Sequence, residues 1–263
     1  MGLRHHHFPT IEIWHRDQHS YLINFLPQGS DPDILALARH LGLTNVASHA
    51  GTNHWEEGKF RLFVSHLARH KHEAAGLRGW LASKSISAFV AHDDIEPTKE
   101  WQEVILGALA SADAMAVLLR DGFHESNWTD QEVGFAVSRG ILIIPIRLGL
   151  DPYGFIGKFQ GINGRIDGVD KGIEALSAEI FGILLGHRLS AKAMADALVY
   201  QFEKSGSFAD ARANAKLLLK ANYWNTSFTD RCKIAYENNG QINNANGVTA
   251  SLEAVYEKWQ SQI

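Results

Sequence analysis

One cysteine, Cys232, stands in 263 residues. A lone thiol excludes an internal disulfide and the small disulfide-held folds, and it suits a reducing, cytoplasmic compartment. Long hydrophobic runs are also missing. A stretch such as Ile141 to Ile146 is far too short to span a bilayer, so no membrane segment is expected. The N-terminus lacks the apolar core of a signal peptide, and secretion is not expected. Basic residues are in no excess: a net charge of -4 argues against a nucleic-acid partner. There is no Gly-x-Gly-x-x-Gly and no phosphate loop ending in Gly-Lys-Ser/Thr, which disfavours a dinucleotide dehydrogenase or a kinase. No serine elbow, Cys–His pair or internal repeat stands out. What remains is ordinary for a globular protein, with 45% hydrophobic and 21% charged residues.

The chain divides by pattern into three stretches. Residues 1–58 are mixed: Ile11 to Trp14 alternates like a strand, Asp31 to Leu43 reads as a helix, and Asn45 to Gly58 is polar and linker-like. His5, His6 and His7 carry no weight in this reading. Residues 59–186 are regular. Strands are expected at Phe60–Val64, Ile86–Ala91, Ala114–Leu119 and Ile141–Ile146, with helices near 72–83, 101–110, 126–138 and 173–185. The strands are apolar almost throughout, where a water-facing strand would alternate. Apolar strands separated by helices indicate βαβ units and a buried parallel sheet. Residues 187–263 lack strands and read as four helices, Ser190–Glu203, Ser207–Ala221, Thr229–Glu237 and Thr249–Gln260, with Ser190 and Ser207 as caps.

In a doubly wound sheet, ligands sit outside the carboxyl ends of the strands where strand order reverses. Three segments converge there: Ser65-His66, His92 to Lys99, and Phe123 to Glu132. Trp128 and Glu132 are four residues apart and share a helix face. A carboxylate beside an indole suits a ligand with a flat ring and a sugar. The same residues also spell a capping box, with Thr129 as N-cap, Glu132 three residues on, and Trp128 stapled to Val133. Spacing alone leaves both readings standing. Asp93 and Asp94 are equally loop caps or ribose contacts. His66, His70 and His72 hint at a metal, yet no further ligand follows at metalloprotease spacing, so no metal is expected and His66 is read as lining the cleft or capping the strand end. Trp80 and Trp101 read as packing residues.

Residues 59 to about 186 resemble a TIR (Toll/interleukin-1 receptor) domain of the bacterial kind. The likeness rests on Phe60-Arg61-Leu62-Phe63-Val64-Ser65-His66, on Phe89 to Pro97, on Ser126-Asn127-Trp128 with Glu132, and on Ile141 to Ile146 with Pro145, in the family's order. It departs after the second strand, where Ala91-His92-Asp93-Asp94 and Pro97-Thr98 stand in place of the Asp and Pro-Gly that many members carry. The resemblance implies a flavodoxin-like α/β fold with an N-terminal extension and a C-terminal helical appendage. It implies an NAD⁺ glycohydrolase or cyclase, with NAD⁺ as substrate and no cofactor, giving nicotinamide and ADP-ribose or a cyclic product. Glu132 is then catalytic, and Ser65, His66, Trp128, His92, Asp93 and Asp94 bind substrate. It further implies self-association and a place in bacterial anti-phage signalling, with a downstream effector or a phage-derived trigger. Two rivals remain: a non-catalytic TIR adaptor, and an enzyme like the nucleoside deoxyribosyltransferases, which also set a carboxylate at a ribose.

Overall fold

The computed structural model describes residues 4–8, 11–15, 21–25, 54–90, 101–126, 128–164 and 170–260. The chain falls into two compact units, Met1–Gly51 and Thr52–Ile263. In the first, β1 (Arg4–Phe8), β2 (Ile11–His15) and β3 (Tyr21–Phe25) form an antiparallel sheet in that order. Ile13 pairs with His6 on one side and Ile23 on the other. The helix expected over 31–43 lies outside the described residues.

The second unit is built on β4 (Phe60–Ser65), β5 (Ile86–Val90), β6 (Ala114–Leu119), β7 (Leu142–Arg147) and β8 (Ile162–Asn163). All neighbours are parallel, in the order β5-β4-β6-β7-β8. This is the flavodoxin-like order, whose switch point lies between β4 and β6. The connecting helices are α1 (Lys71–Ala82), α2 (Trp101–Ser111), α3 (Thr129–Arg139) and α4 (Asp170–Gly186).

Strand periodicity divides the core into two layers. Leu62, Val64, Ala116, Leu118 and Ile144 face one way, into a cluster with Leu77 of α1 and Ile180 of α4. Phe63, Phe89, Met115, Val117 and Ile143 face the other way, against Ile105 of α2 and Val133 and Ala136 of α3. So the helix after β4 and the helix after β6 cover opposite faces. In sheets of this order the ligand crevice lies between two such helices, at the carboxyl ends of these two strands.

The C-terminal helices are α5 (Ala191–Glu203), α6 (Phe208–Leu218), α7 (Thr226–Asn238), α8 (Gly240–Asn243) and α9 (Val248–Trp259). Their buried residues, Phe202, Leu218, Phe228 and Val255 among them, continue the cluster that covers the α1 and α4 face. Ser207 caps α6, its hydroxyl accepting from the Asp210 amide at 3.1 Å. Ser190 acts differently from the cap expected of it: its hydroxyl donates to the Leu184 carbonyl at 2.8 Å and closes the preceding helix. The polar linker expected up to Gly58 ends in a strap. Trp55 donates to the Ser111 hydroxyl at 2.9 Å, and the Tyr200 hydroxyl donates to Glu57 at 2.7 Å. Gly58, at φ +67°, lies flat on the Tyr200 ring, where a Cβ would come within 1.9 Å of a ring carbon. The compact unit therefore begins at Thr52 and runs on through the C-terminal helices, where sequence pattern put boundaries after residues 58 and 186.

Candidate active site

Ser65 ends β4 with the parity of Phe63, so its side chain points to the α3 side. There its hydroxyl donates to Glu132 Oε2 at 2.6 Å. Both residues are buried, Ser65 at 1% and Glu132 at 6% exposure. A carboxylate with so little water is costly unless paired or hydrogen-bonded. Burial pushes the Glu132 carboxyl up to about 7, and the Ser65 hydroxyl pulls the other way. Glu132 also lies in the first turn of α3, where the helix dipole favours an anion by about 2 kcal/mol at most. The displacement from an ordinary carboxyl is worth about 3 kcal/mol, so desolvation dominates. The outcome is a carboxyl that exchanges its proton near neutrality.

The start of α3 differs from the capping box that the sequence allowed. Trp128 occupies the cap position and makes no side-chain capping bond. Thr129, buried, donates its hydroxyl to the Phe123 carbonyl at 2.7 Å. The Ser126 hydroxyl instead accepts the Trp128 and Thr129 amides, at 3.4 and 3.5 Å. The helix is started by a serine turn and a threonine tie, which leaves the Glu132 side chain to cross to Ser65. Further on, the Tyr153 hydroxyl donates to Asp130 at 2.5 Å and braces the exposed side of the same turn.

His66 is buried at 5% exposure, with Nδ1 3.0 Å from the Val64 carbonyl. By parity it faces the α1 side, away from Ser65. Trp128 is partly buried one turn before Glu132. His92, Asp93 and Asp94 lie outside the described residues. Of the residues singled out from sequence, the structure thus joins Ser65 to Glu132 directly, with Trp128 and His66 on the flanking segments. No group of three histidine, cysteine, aspartate or glutamate side chains with metal-binding geometry occurs among the described residues.

Sequence reading passed over a charged cluster at the same end of the sheet. Arg120 follows the last residue of β6 and donates to Glu73 of α1 at 2.8 Å. His70 Nδ1 stands 3.2 Å from the other Glu73 oxygen. Arg69 donates to the Asp121 carbonyl and, at 3.2 Å, to His70 Nε2. The available signal was an arginine directly after six apolar residues, at the carboxyl end of a strand beside the switch point.

Residues 62–177 match the family model described as TIR domain. Among solved structures, the TIR domain of the Toll-related receptor TRR-2 from Hydra magnipapillata matches over 47% of this chain and 98% of its own, at 16% identity and a TM-score of 0.39. No curated protein matches the chain. No helix among the described residues is long and apolar enough to cross a membrane. The matched span holds Ser65, His66, Trp128 and Glu132 together with all of the parallel sheet but Phe60 and Arg61, and residues 62–177 of this chain are a TIR domain.

Proposed function

We propose that this domain cleaves the bond between nicotinamide and ribose in NAD⁺, with Glu132 as the catalytic carboxylate. The observation that carries the reading is the buried Glu132–Ser65 pair at the switch point of the sheet. A structural surface domain has little use for a desolvated carboxylate that costs stability. An enzyme working on a developing cation uses one.

The chemistry asks for one carboxyl group. Ordinary glycosidases need a second to protonate the leaving group. In NAD⁺ the nicotinamide is a pyridinium and departs neutral, so that step needs no acid. As the C–N bond breaks, positive charge develops across ribose C1 and the ring oxygen. Ser65 engages Oε2, and Oε1 is the oxygen assigned to the ribose. Water attacking C1 gives ADP-ribose and releases one proton; attack by a ring nitrogen of the same molecule's adenine gives a cyclic product. Trp128, His66 and the segment with His92, Asp93 and Asp94 are assigned to holding the substrate. A signalling role in anti-phage defence and activation by self-association belong to the same proposal.

Chromatography of the products formed from NAD⁺ tests the reading. Nicotinamide released in step with NAD⁺ loss is the expected result. Base exchange between nucleosides without NAD⁺ loss marks a deoxyribosyltransferase. Inertness at every protein concentration leaves the adaptor.

A further inference from the structure

The crevice has two walls, and the proposed chemistry uses one. Ser65 and Glu132 stand on the α3 side; the segment after β4 leads to α1 on the other side, and the segment after β6 leads back to α3. Strand register gives the spacing. Ser65 is level with Val117 of β6, and Arg120 lies three residues further along that strand's direction. At roughly 3.3 Å per residue that is about 10 Å beyond Ser65, near the reach from a ribose to its linked phosphates.

Two arginines stand at this end of the sheet, Arg69 after β4 and Arg120 after β6. Arg120 is anchored by Glu73, which His70 also contacts. Arg69 is exposed and, among the described residues, donates to the Asp121 carbonyl and His70. Among the described residues it has no carboxylate partner. Of the acidic groups around this turn, Glu73 is held by Arg120, and a Glu125 oxygen shares the turn at Gly122 with the Arg69 guanidinium. A Cβ at Gly122 would come within 2.8 Å of Arg69 Nη2 and 3.3 Å of Glu125 Oε2. Gly122, at φ +81°, is therefore what lets the Arg69 guanidinium lie against this turn.

We infer that Arg69 binds the pyrophosphate of a dinucleotide laid across the crevice, and that Arg120, held by Glu73, is the residue that positions it. The assignment rests on the proposed NAD⁺ reading for the ligand's class and on the cluster's own geometry for its place. Arginine suits the task, since its planar fork matches phosphate oxygens and stays charged at any working pH. The rival is a rivet that merely ties two loops together.

Titration calorimetry with ADP-ribose, which retains the pyrophosphate and lacks nicotinamide, separates the two. Arg69→Gln is to weaken ADP-ribose at least about tenfold, as the loss of one charged phosphate contact does. The variant is also to show a smaller loss of affinity between low and high salt than the wild type shows. Arg69→Lys is to recover part of the affinity, and adenosine, which has no phosphate, is to bind both proteins alike. Equal ADP-ribose affinity for wild type and Arg69→Gln overturns the inference, as does a wild type that fails to bind ADP-ribose. An equal fall for adenosine also overturns it, by marking a rivet. The NAD⁺ reading is tested separately by turnover. If NAD⁺ is not cleaved but ADP-ribose binding depends on Arg69, the chemistry falls and the subsite stands.

Discussion

Glu132→Gln should stabilise the fold, and by an amount that grows with pH. The native carboxyl is held near 7 by burial, against an unfolded value near 4.5. The native state therefore binds the proton more tightly than the unfolded chain. Its stability is fully present below about pH 4.5 and is lost as pH rises through 7. Integrating between those values, the ionised group costs about 1 kcal/mol at pH 5 and about 3 kcal/mol at pH 8. Glutamine has the same shape, still accepts from Ser65 and carries no charge. The difference in unfolding free energy between variant and wild type should accordingly widen by about 2 kcal/mol from pH 5 to pH 8. In a unit of this size that is a shift in Tm of roughly 4–8 °C. Urea unfolding of both proteins at the two pH values measures it, with the change at pH 5 absorbing any packing cost of the amide. A difference that does not widen with pH refutes the claim that Glu132 is a desolvated carboxyl in the folded protein.

The same site makes a kinetic prediction. The ionised form of Glu132 is the one that stabilises a cation, so kcat/KM should climb with pH through about 7. Ser65→Ala removes a hydrogen bond to that ionised form, so the climb should move to higher pH, with a several-fold loss at pH 7 and recovery near pH 9. An unmoved profile would mean that Ser65 does not bias the proton. Gly58→Ala should destabilise the unit by at least about 1–3 kcal/mol, because the new methyl overlaps Tyr200. Gly58→Ala paired with Tyr200→Ala should recover part of that loss in thermal melts. Arg231→Met should cost about 1–3 kcal/mol, since Arg231 of α7 holds Glu203 through two bonds of 2.7 and 2.8 Å and also contacts Asp196. That cost should shrink in high salt, as read by denaturant unfolding.

Much of this fold was legible in the residues. Four runs apolar almost throughout announced buried parallel strands, and each lies within a residue of its expected bounds, as with Ala114–Leu119. The fifth strand was not legible, because Ile162–Asn163 has two residues and shows no period. The helix at Gly240–Asn243 was hidden for the same reason. The C-terminal helices read as an appendage because a break in pattern at Gly186 looks like a boundary. Only packing reveals that Phe202 and Val255 extend the core laid down by Leu62 and Ile180. At the site, Glu132 was legible as a candidate but its partner was not. The Ser65–Glu132 bond joins positions 67 apart in the chain. The local pattern Thr129-x-x-Glu132 also allowed a cap, and the cap lost because Ser126 accepts the amides and Thr129 turns to Phe123. Arg120 was overlooked since a single charged residue after a strand carries no motif. Its meaning comes from Glu73, 47 positions earlier.

The central claim is that Glu132 acts on the ribose of NAD⁺, and turnover by Glu132→Gln against wild type is its most direct test. Both proteins should be assayed for nicotinamide release at pH 8 over a range of protein concentrations, so that self-association limits neither. The account predicts a loss of at least about 100-fold in kcat, the usual cost of removing a preorganised group that stabilises transition-state charge. ADP-ribose affinity should stay within about twofold, since Glu132 adds little to ground-state binding. Equal turnover by the two proteins would contradict the account.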